Sequence, residues 1–140
     1  MYLLDTNVVS ELRKIRAGKA DSHVTDWADS IDAADLYVSV ITIQELEIGV
    51  LRAERRYPAQ GAIFRDWLNG HVLPAFSGRV LPIDTVIAQR SARLHVPDLR
   101  PVRDGLIAAT ALVHGMTVVT RNVADFEPTG VDVLNPWKKP

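Results

Sequence analysis

Several chemistries are excluded by what this sequence lacks. It contains no cysteine, which rules out disulfide scaffolds, cysteine-based zinc ribbons and thiol catalysis. No apolar run approaches the ~18 residues of a membrane-spanning helix, and residues 1–5 lack the basic and long apolar stretches of a signal peptide. We therefore expect a protein of the cytoplasm with no membrane segment.

An excess of charge of one sign is also absent. The 16 basic residues, of which 12 are Arg and 4 are Lys, are balanced by 17 acidic ones, so the formal charge is -1. Contacts with nucleic acid would have to come from local arginine clusters, because the chain has no general positive field. Candidates, for each of which a solvated surface position is the simpler interpretation, are Arg52, Arg55, Arg56, Arg90, Arg93, Arg100 and Arg103.

Short apolar runs alternate with longer amphipathic stretches, a pattern typical of βαβ units. Strands are predicted at residues 2–4, 36–40, 79–83, 116–120 and, more weakly, 131–134. Helical spacing between them predicts six helices, the fourth ending before Pro74 and the sixth running from Val102 to His114. One α/β domain over residues 1–140, with helices on both faces of a parallel sheet and a fraying tail at 137–140, is expected.

Oxygen-bearing side chains follow the predicted strands, which is where parallel sheets bind their ligands. Asp5 ends the first strand, and Glu45 lies about one turn into the helix after the second. Asp104 opens the helix before the fourth strand, and Asn122 and Asp125 follow that strand. The carboxyl ends of parallel strands meet at one edge, so these side chains are predicted to converge there.

Each acid taken alone also has a structural interpretation. Asp5 suits a helix cap, Thr42 and Glu45 fit a capping box, and Asp104 suits the first turn of a helix. Their convergence is more informative, because gathered carboxylates repel one another unless a cation neutralises them. Oxygen ligands without His or Cys favour Mg²⁺, or Mn²⁺, and both ions also reach for substrate phosphate.

Five blocks of the sequence, in order, carry a family resemblance. They are residues 2–11 (YLLDTNVVSE), 39–46 (SVITIQEL), 104–111 (DGLIAATA), 117–122 (TVVTRN) with Asp125-Phe126, and 133–137 (VLNPW). Together they span almost the whole chain. They resemble the PIN-domain ribonucleases, and within these the VapC/FitB type of toxin from bacterial toxin–antitoxin pairs.

The resemblance implies a three-layer α/β/α PIN-like fold with a central parallel sheet of four or five strands. It further implies a Mg²⁺-dependent endoribonuclease that hydrolyses RNA phosphodiester bonds. It also implies a homodimer neutralised by a small antitoxin with a DNA-binding N-terminus, so that operator DNA is contacted only through the antitoxin.

Carried over by position, the family's acids are Asp5, Glu45 and Asp104. Asp5 and Asp104 would hold the metal ion, and Glu45 would contribute to the metal site and orient or deprotonate the attacking water. The family's fourth acidic position is Asn122 here, so either Asn122 serves as a neutral ligand or Asp125 takes the role of the missing acid.

Other side chains are assigned supporting roles. Thr6 and Thr120 are candidate hydrogen-bond donors to the carboxylates, and Arg121 is a candidate phosphate contact. The three tryptophans occupy apolar positions and are interpreted as core or dimer contacts rather than base-stacking platforms. Apolar residues expected to be partly buried between two subunits are Ile41, Ile43, Leu46 and residues 133–137.

Three other kinds of protein are alternatives to a nuclease. A receiver-like signalling domain would need further acids upstream of Asp5 and a Lys after its last strand, and a dehalogenase-type phosphatase would need Asp-x-Asp where this chain has Asp5-Thr6-Asn7. A catalytically weak PIN-fold protein, acting mainly as a binding partner in a regulatory complex with antitoxin and DNA, stays open because of Asn122.

Overall fold

The computed structural model describes residues 1–139, and the centre of this part of the chain is a five-stranded, all-parallel sheet. Its strands are β1 (Tyr2–Leu4), β2 (Leu36–Ser39), β3 (Val80–Leu81), β4 (Thr117–Val119) and β5 (Val133–Leu134). The spatial order is β3-β2-β1-β4-β5, which makes β1 the central strand, paired with both β2 and β4.

Helices cover both faces of the sheet, so the predicted three-layer PIN-like fold is confirmed. They are α1 (Thr6–Leu12), α2 (Ser22–Ser30), α3 (Val40–Arg56), α4 (Pro58–Trp67), α5 (Leu73–Ala75), α6 (Thr85–Leu94), α7 (Val102–His114) and α8 (Val123–Phe126). No helix within residues 1–139 is long and apolar enough to cross a membrane.

The core has two halves, one on each face of the sheet. Leu3 and Leu4 are both fully buried, and because neighbouring residues of a strand point to opposite faces they belong to different halves. Leu4 packs in the cluster with Val38 and Val119, whereas Leu3 packs with Ile107 and Phe126. Burial on both faces explains why the strand sequences are continuously apolar.

The fourth predicted helix does not end before Pro74, and that boundary was wrong. After α4 the helix passes through a π turn at Leu68–Val72 and continues as α5. The N–H of Leu73 bonds to the carbonyl of Leu68, five residues earlier. This wider turn places Pro74 in the first turn of a new helical segment, where its missing N–H costs no hydrogen bond.

The capping box proposed for Thr42 and Glu45 is also wrong. Helix α3 begins at Val40, and the Ser39 side chain caps it by accepting a 3.0 Å hydrogen bond from the N–H of Ile41. Because Ser39 is a good cap at the end of β2, the strand passes directly into the helix. Thr42 is fully buried, its hydroxyl has no hydrogen-bond partner within residues 1–139, and Glu45 stands in the second turn.

The apolar side chains expected between subunits are covered by the chain itself. Leu46 is buried, and Ile41 and Ile43 pack against the two halves of the core, as do Val133 and Leu134. The helices on both faces of the sheet provide this cover, and the burial of these residues between two subunits stays a prediction.

The tail does not fray as far back as Trp137. Its indole packs against the core, and its backbone N–H donates to Asn135 Oδ1 over 3.0 Å. Pro140, the last residue of the predicted fraying segment, lies outside the described residues. All three tryptophans pack against the core, which confirms their interpretation as core residues.

Candidate active site

Four acidic side chains meet at the carboxyl edge of the sheet. Asp5 follows β1, Asp104 lies in the first turn of α7, Glu45 in the second turn of α3, and Asp125 in α8 after β4. Negative charge at Glu45 and Asp125 acts on Asp5, and charge at all three of the others acts on Asp104. The predicted acids thus lie near enough to one another at this edge to interact electrostatically.

Asp5 is held in a fixed orientation by three hydrogen bonds. Its Oδ1 accepts from the N–H of Thr6 over 2.8 Å, and its Oδ2 accepts from Thr120 Oγ1 over 2.8 Å and from Asn7 Nδ2 over 3.2 Å. The residue is only 5% exposed. It is both the cap of α1 and a member of the acidic cluster, so its two interpretations are not alternatives.

Asn7 connects the cluster to the end of β4, a role that sequence reasoning missed. Besides Asp5, its amide donates to Thr120 Oγ1 over 3.3 Å, and its Oδ1 accepts from the N–H of Arg121 over 3.2 Å. An amide side chain in the first turn of a helix that begins at a strand end was the available signal. Its partners, about 114 residues away along the chain, could not be read from that signal.

Glu45 is oriented from two sides. Thr6 Oγ1 donates to Glu45 Oε1 over 2.8 Å, and Arg103 Nη1 lies 3.6 Å from Oε2. The predicted roles of Thr6 and Thr120 as donors to carboxylates are thus confirmed. Arg103 was expected on a solvated face, and although its side chain is 52% exposed it neutralises part of the cluster's charge.

The electrostatics of the cluster favour protonation or a bound cation. Burial is the largest effect raising the pKa of Asp5, and the hydrogen bonds from Thr120 and Thr6 oppose it. Burial, followed by the charges of Asp5, Asp125 and Glu45, raises the pKa of Asp104 to about 6 from its ordinary value of 3.8. Asp104 thus carries an unfavourable charge at neutral pH that a nearby cation would stabilise.

Asn122 stands apart from this charge network. Asn122 is exposed, and its backbone N–H donates to Thr120 Oγ1 over 3.0 Å at the start of α8. Asp125, three residues later, acts on both Asp5 and Asp104. Asp125 therefore supplies the negative charge next to β4 that Asn122 does not.

The carboxylate oxygens of the cluster are chemically suited to a hard divalent cation. Asp5, Glu45, Asp104 and Asp125 offer only carboxylate oxygens, which Mg²⁺ and Mn²⁺ prefer. A cation among them would offset the repulsion that raises the pKa of Asp5 and Asp104. Within residues 1–139, no three His, Asp or Glu side chains stand close enough together to form a complete metal-binding group.

An apolar trough leads to the cluster from one side. A cavity of about 200 Å³ is lined by Thr6, Glu45 and Phe64, and it shares Arg13 and Trp67 with a larger cavity of about 620 Å³. The larger cavity is mostly apolar, and its other basic lining residues are Arg16, His71 and Arg79.

The fold and the cluster define a nuclease-like α/β/α domain, and residues 2–127 match the PIN domain family, to which this chain belongs. It is 41% identical over 143 residues to VapC ribonuclease Y4jK of Sinorhizobium fredii, with 99% of each chain covered. It is 37% identical over 147 residues to toxin FitB of Neisseria gonorrhoeae, covering 98% of this chain and 99% of FitB.

A solved structure, that of FitAB bound to an IR36 DNA fragment, contains a chain of the same fold. The TM-score is 0.86 at 35% identity, and the match covers 100% of this chain and 98% of the other. The predicted resemblance to the VapC/FitB type is confirmed by these relatives.

Proposed function

We propose that this protein is a metal-dependent endoribonuclease that acts as the toxin of a toxin–antitoxin pair. The observation that carries the proposal is the group of four carboxylates, Asp5, Glu45, Asp104 and Asp125, at one edge of a PIN fold. Relatives named as a VapC ribonuclease and a FitB toxin, matched over nearly their whole length, support RNA as the substrate and toxin as the biological role.

In this proposal Asp5 and Asp104 would hold Mg²⁺ or Mn²⁺, and Glu45 with either Asn122 or Asp125 would complete the site. When bound, the ion would polarise the phosphoryl oxygen and offset the charge that builds up on phosphorus. The hydrogen bonds from Thr6, Asn7 and Thr120 fix the orientation of the Asp5 carboxylate, and those from Thr120 and Thr6 oppose the rise in its pKa.

Glu45 orients and deprotonates the attacking water. Thr6 occupies Glu45 Oε1, which fixes the carboxylate plane while Oε2 faces the Arg103 guanidinium. The water oxygen bonds to phosphorus and the water's proton passes to Glu45, while the opposite bond to the leaving ribose oxygen breaks and that oxygen takes up a proton from solvent water. No side-chain nucleophile is needed.

The test is RNA cleavage by protein purified free of any antitoxin. Cleavage should require Mg²⁺ or Mn²⁺, stop in chelator, and be lost in Asp5→Ala and Asp104→Asn. A matched control is Asp132→Asn, because Asp132 is an exposed acid just before β5. Cleavage that persists in chelator or in both site variants would contradict the proposal.

A catalytically weak protein that acts mainly in an antitoxin and DNA complex is the second candidate. It is favoured by Asn122 at the family's fourth acidic position and by the incomplete metal-binding group within residues 1–139. Tight antitoxin binding with no metal-dependent cleavage would support it.

The FitAB–DNA structure is a complex, and by analogy we expect a small antitoxin with a DNA-binding N-terminus that alone contacts operator DNA. The trough that passes Arg13 and Trp67 and ends at Glu45 is suited to an antitoxin tail with apolar and acidic side chains. An arginine at the end of such a tail would pair with the carboxylates in place of a cation.

The one-domain organisation over residues 1–140, the homodimer and the cytoplasmic location stay predictions. Exposed apolar residues available to a second subunit are Leu51, Tyr57, Ile63, Val96, Leu99 and Val102. Light scattering of the purified chain tests the dimer. A mass that stays near 15.5 kDa at micromolar concentration would contradict it.

A further inference from the structure

Arg121 and Trp137 form a cation–π pair at the same edge of the sheet as the acids. Strands β4 and β5 are parallel neighbours with Val119 opposite Leu134, so the residues that follow the two strands meet. The guanidinium carbon of Arg121 lies 5.2 Å from the centre of the Trp137 ring, within the range of a cation–π interaction.

Hydrogen bonds fix the position of this pair relative to the acidic cluster. The N–H of Arg121 donates to Asn7 Oδ1, and the Asn7 amide donates to Asp5 Oδ2. Trp137 is anchored by the hydrogen bond from its backbone N–H to Asn135 Oδ1 and by packing against the core. The pair is thus tied to Asp5 through one intervening side chain.

The Arg121 side chain has unused hydrogen-bonding capacity. Within residues 1–139 no carboxylate forms an ion pair with it, whereas Arg65 and Arg103 are both paired with glutamates. Stacking uses the flat face of a guanidinium and leaves the in-plane N–H donors at its edge available. Such a fork matches two oxygens of one phosphate.

A fixed cation is what an acidic cluster needs beside it to receive RNA, because the carboxylates repel the phosphate backbone. We propose that Arg121, held in place by Trp137, binds the RNA phosphate next to the one that is cleaved. The inference rests on the proposed ribonuclease function, and it assigns Arg121 a binding role and Trp137 a positioning role. In this view Trp137 stacks on a protein cation and is not a platform for a base.

Binding of RNA without metal tests the pair independently of catalysis. A fluorescein-labelled single-stranded RNA is titrated in chelator at several salt concentrations against Arg121→Gln, Trp137→Leu and Trp137→Phe. The control is Lys19→Gln, since Lys19 is an exposed cation in the turns after α1 and is not among the candidate RNA contacts. Thermal unfolding checks that each variant folds.

Loss of one charge-assisted phosphate contact should weaken binding about tenfold in Arg121→Gln. The slope of log affinity against log salt should fall in magnitude by about 0.7, the value for one phosphate of a single strand. Trp137→Leu should reproduce both changes, and Trp137→Phe should recover most of the affinity because a ring remains under the guanidinium. Lys19→Gln should stay within twofold of the unchanged protein.

Equal affinity and salt slope in Arg121→Gln and Lys19→Gln would overturn the inference. A normal Trp137→Leu beside a weakened Arg121→Gln would overturn the positioning role. If Trp137→Leu does not fold, Trp137→Phe and Arg121→Gln still decide the question. Cleavage by the unchanged protein with Mg²⁺ is measured separately, so a failure of the ribonuclease proposal is distinguished from a failure of this one.

Discussion

Thr120 Oγ1 donates to Asp5 Oδ2 over 2.8 Å, so the residue that follows β4 holds the residue that follows β1. Both residues are buried. This bond is the strongest of the effects that lower the Asp5 pKa against burial. It therefore limits the rise in pKa of a desolvated carboxylate at the centre of the candidate site.

Replacing Thr120 with valine keeps the shape and removes the donor. We expect the free energy of unfolding to fall by about 2 kcal/mol, because a buried charged acceptor loses a partner. RNA cleavage should fall as well, since the pKa of Asp5 rises further. Urea denaturation and a Mg²⁺ titration of cleavage measure the two effects.

Thr110→Val is the matched control for that change. Thr110 is equally buried, but its hydroxyl donates to the Leu106 carbonyl within α7 and does not touch the acids. It should cost less stability and leave the Mg²⁺ requirement unchanged. Equal losses of cleavage in both variants would contradict a specific role for Thr120.

Asp104→Asn should stabilise the fold at neutral pH while abolishing cleavage. The folded-state pKa of Asp104 is raised to about 6 from 3.8, so the folded state binds this proton more tightly than the unfolded chain does. The contribution of Asp104 to stability is therefore full below about pH 4, is lost as pH rises toward 6, and stays lost above it.

The difference in Tm between Asp104→Asn and the unchanged protein, followed from pH 4 to 8, measures this effect. It should grow in favour of the variant across the interval from 4 to 6 and then level off. Asp132→Asn, at an exposed acid, should show no such interval. If the variant is less stable than the parent at pH 7.5, the charge of Asp104 does not destabilise the fold.

Mg²⁺ should raise the Tm at pH 7.5 and much less at pH 5. Above pH 6 Asp104 is ionised and repelled by its neighbours, so a cation gains the most there. Thermal unfolding with MgCl₂ and with chelator at the two pH values provides the measurement. Equal stabilisation at both values would place the binding of Mg²⁺ elsewhere.

Asn122→Asp should lower the Mg²⁺ concentration that gives half-maximal RNA cleavage, because it adds a carboxylate beside β4. Asn69→Asp is the control, since Asn69 is exposed in the π turn after α4. A clear loss of cleavage in Asn122→Asp would show that the amide does something a carboxylate cannot do.

The edge at which the acids meet was predictable, because parallel strands all end on the same side. Asp5 directly follows an apolar run, and that adjacency is enough to place it. Helix α7 was predicted from Val102 to His114 because a glycine follows it, and in the structure Gly115 ends the helix with a positive φ of 66°. In these places one local rule decides the structure.

Other features depend on contacts that local rules do not contain. Ser39 caps α3 three residues ahead of Thr42. The helix therefore begins before Thr42, and the predicted capping box does not form. The helix runs past Pro74 only because a π turn precedes it. The pairing of Arg103 with Glu45 joins two helices, and only the assembled sheet brings these residues together.

The central position of β1 has a consequence for the order in which the site is completed. β1 comes first in the chain, yet one of its two neighbours is β4, near the other end. A nascent chain that stops before residue 117 leaves one side of β1 unpaired and lacks Thr120 and Asp125. While it is still being synthesised, the protein therefore carries Asp5 and Glu45 without an assembled site.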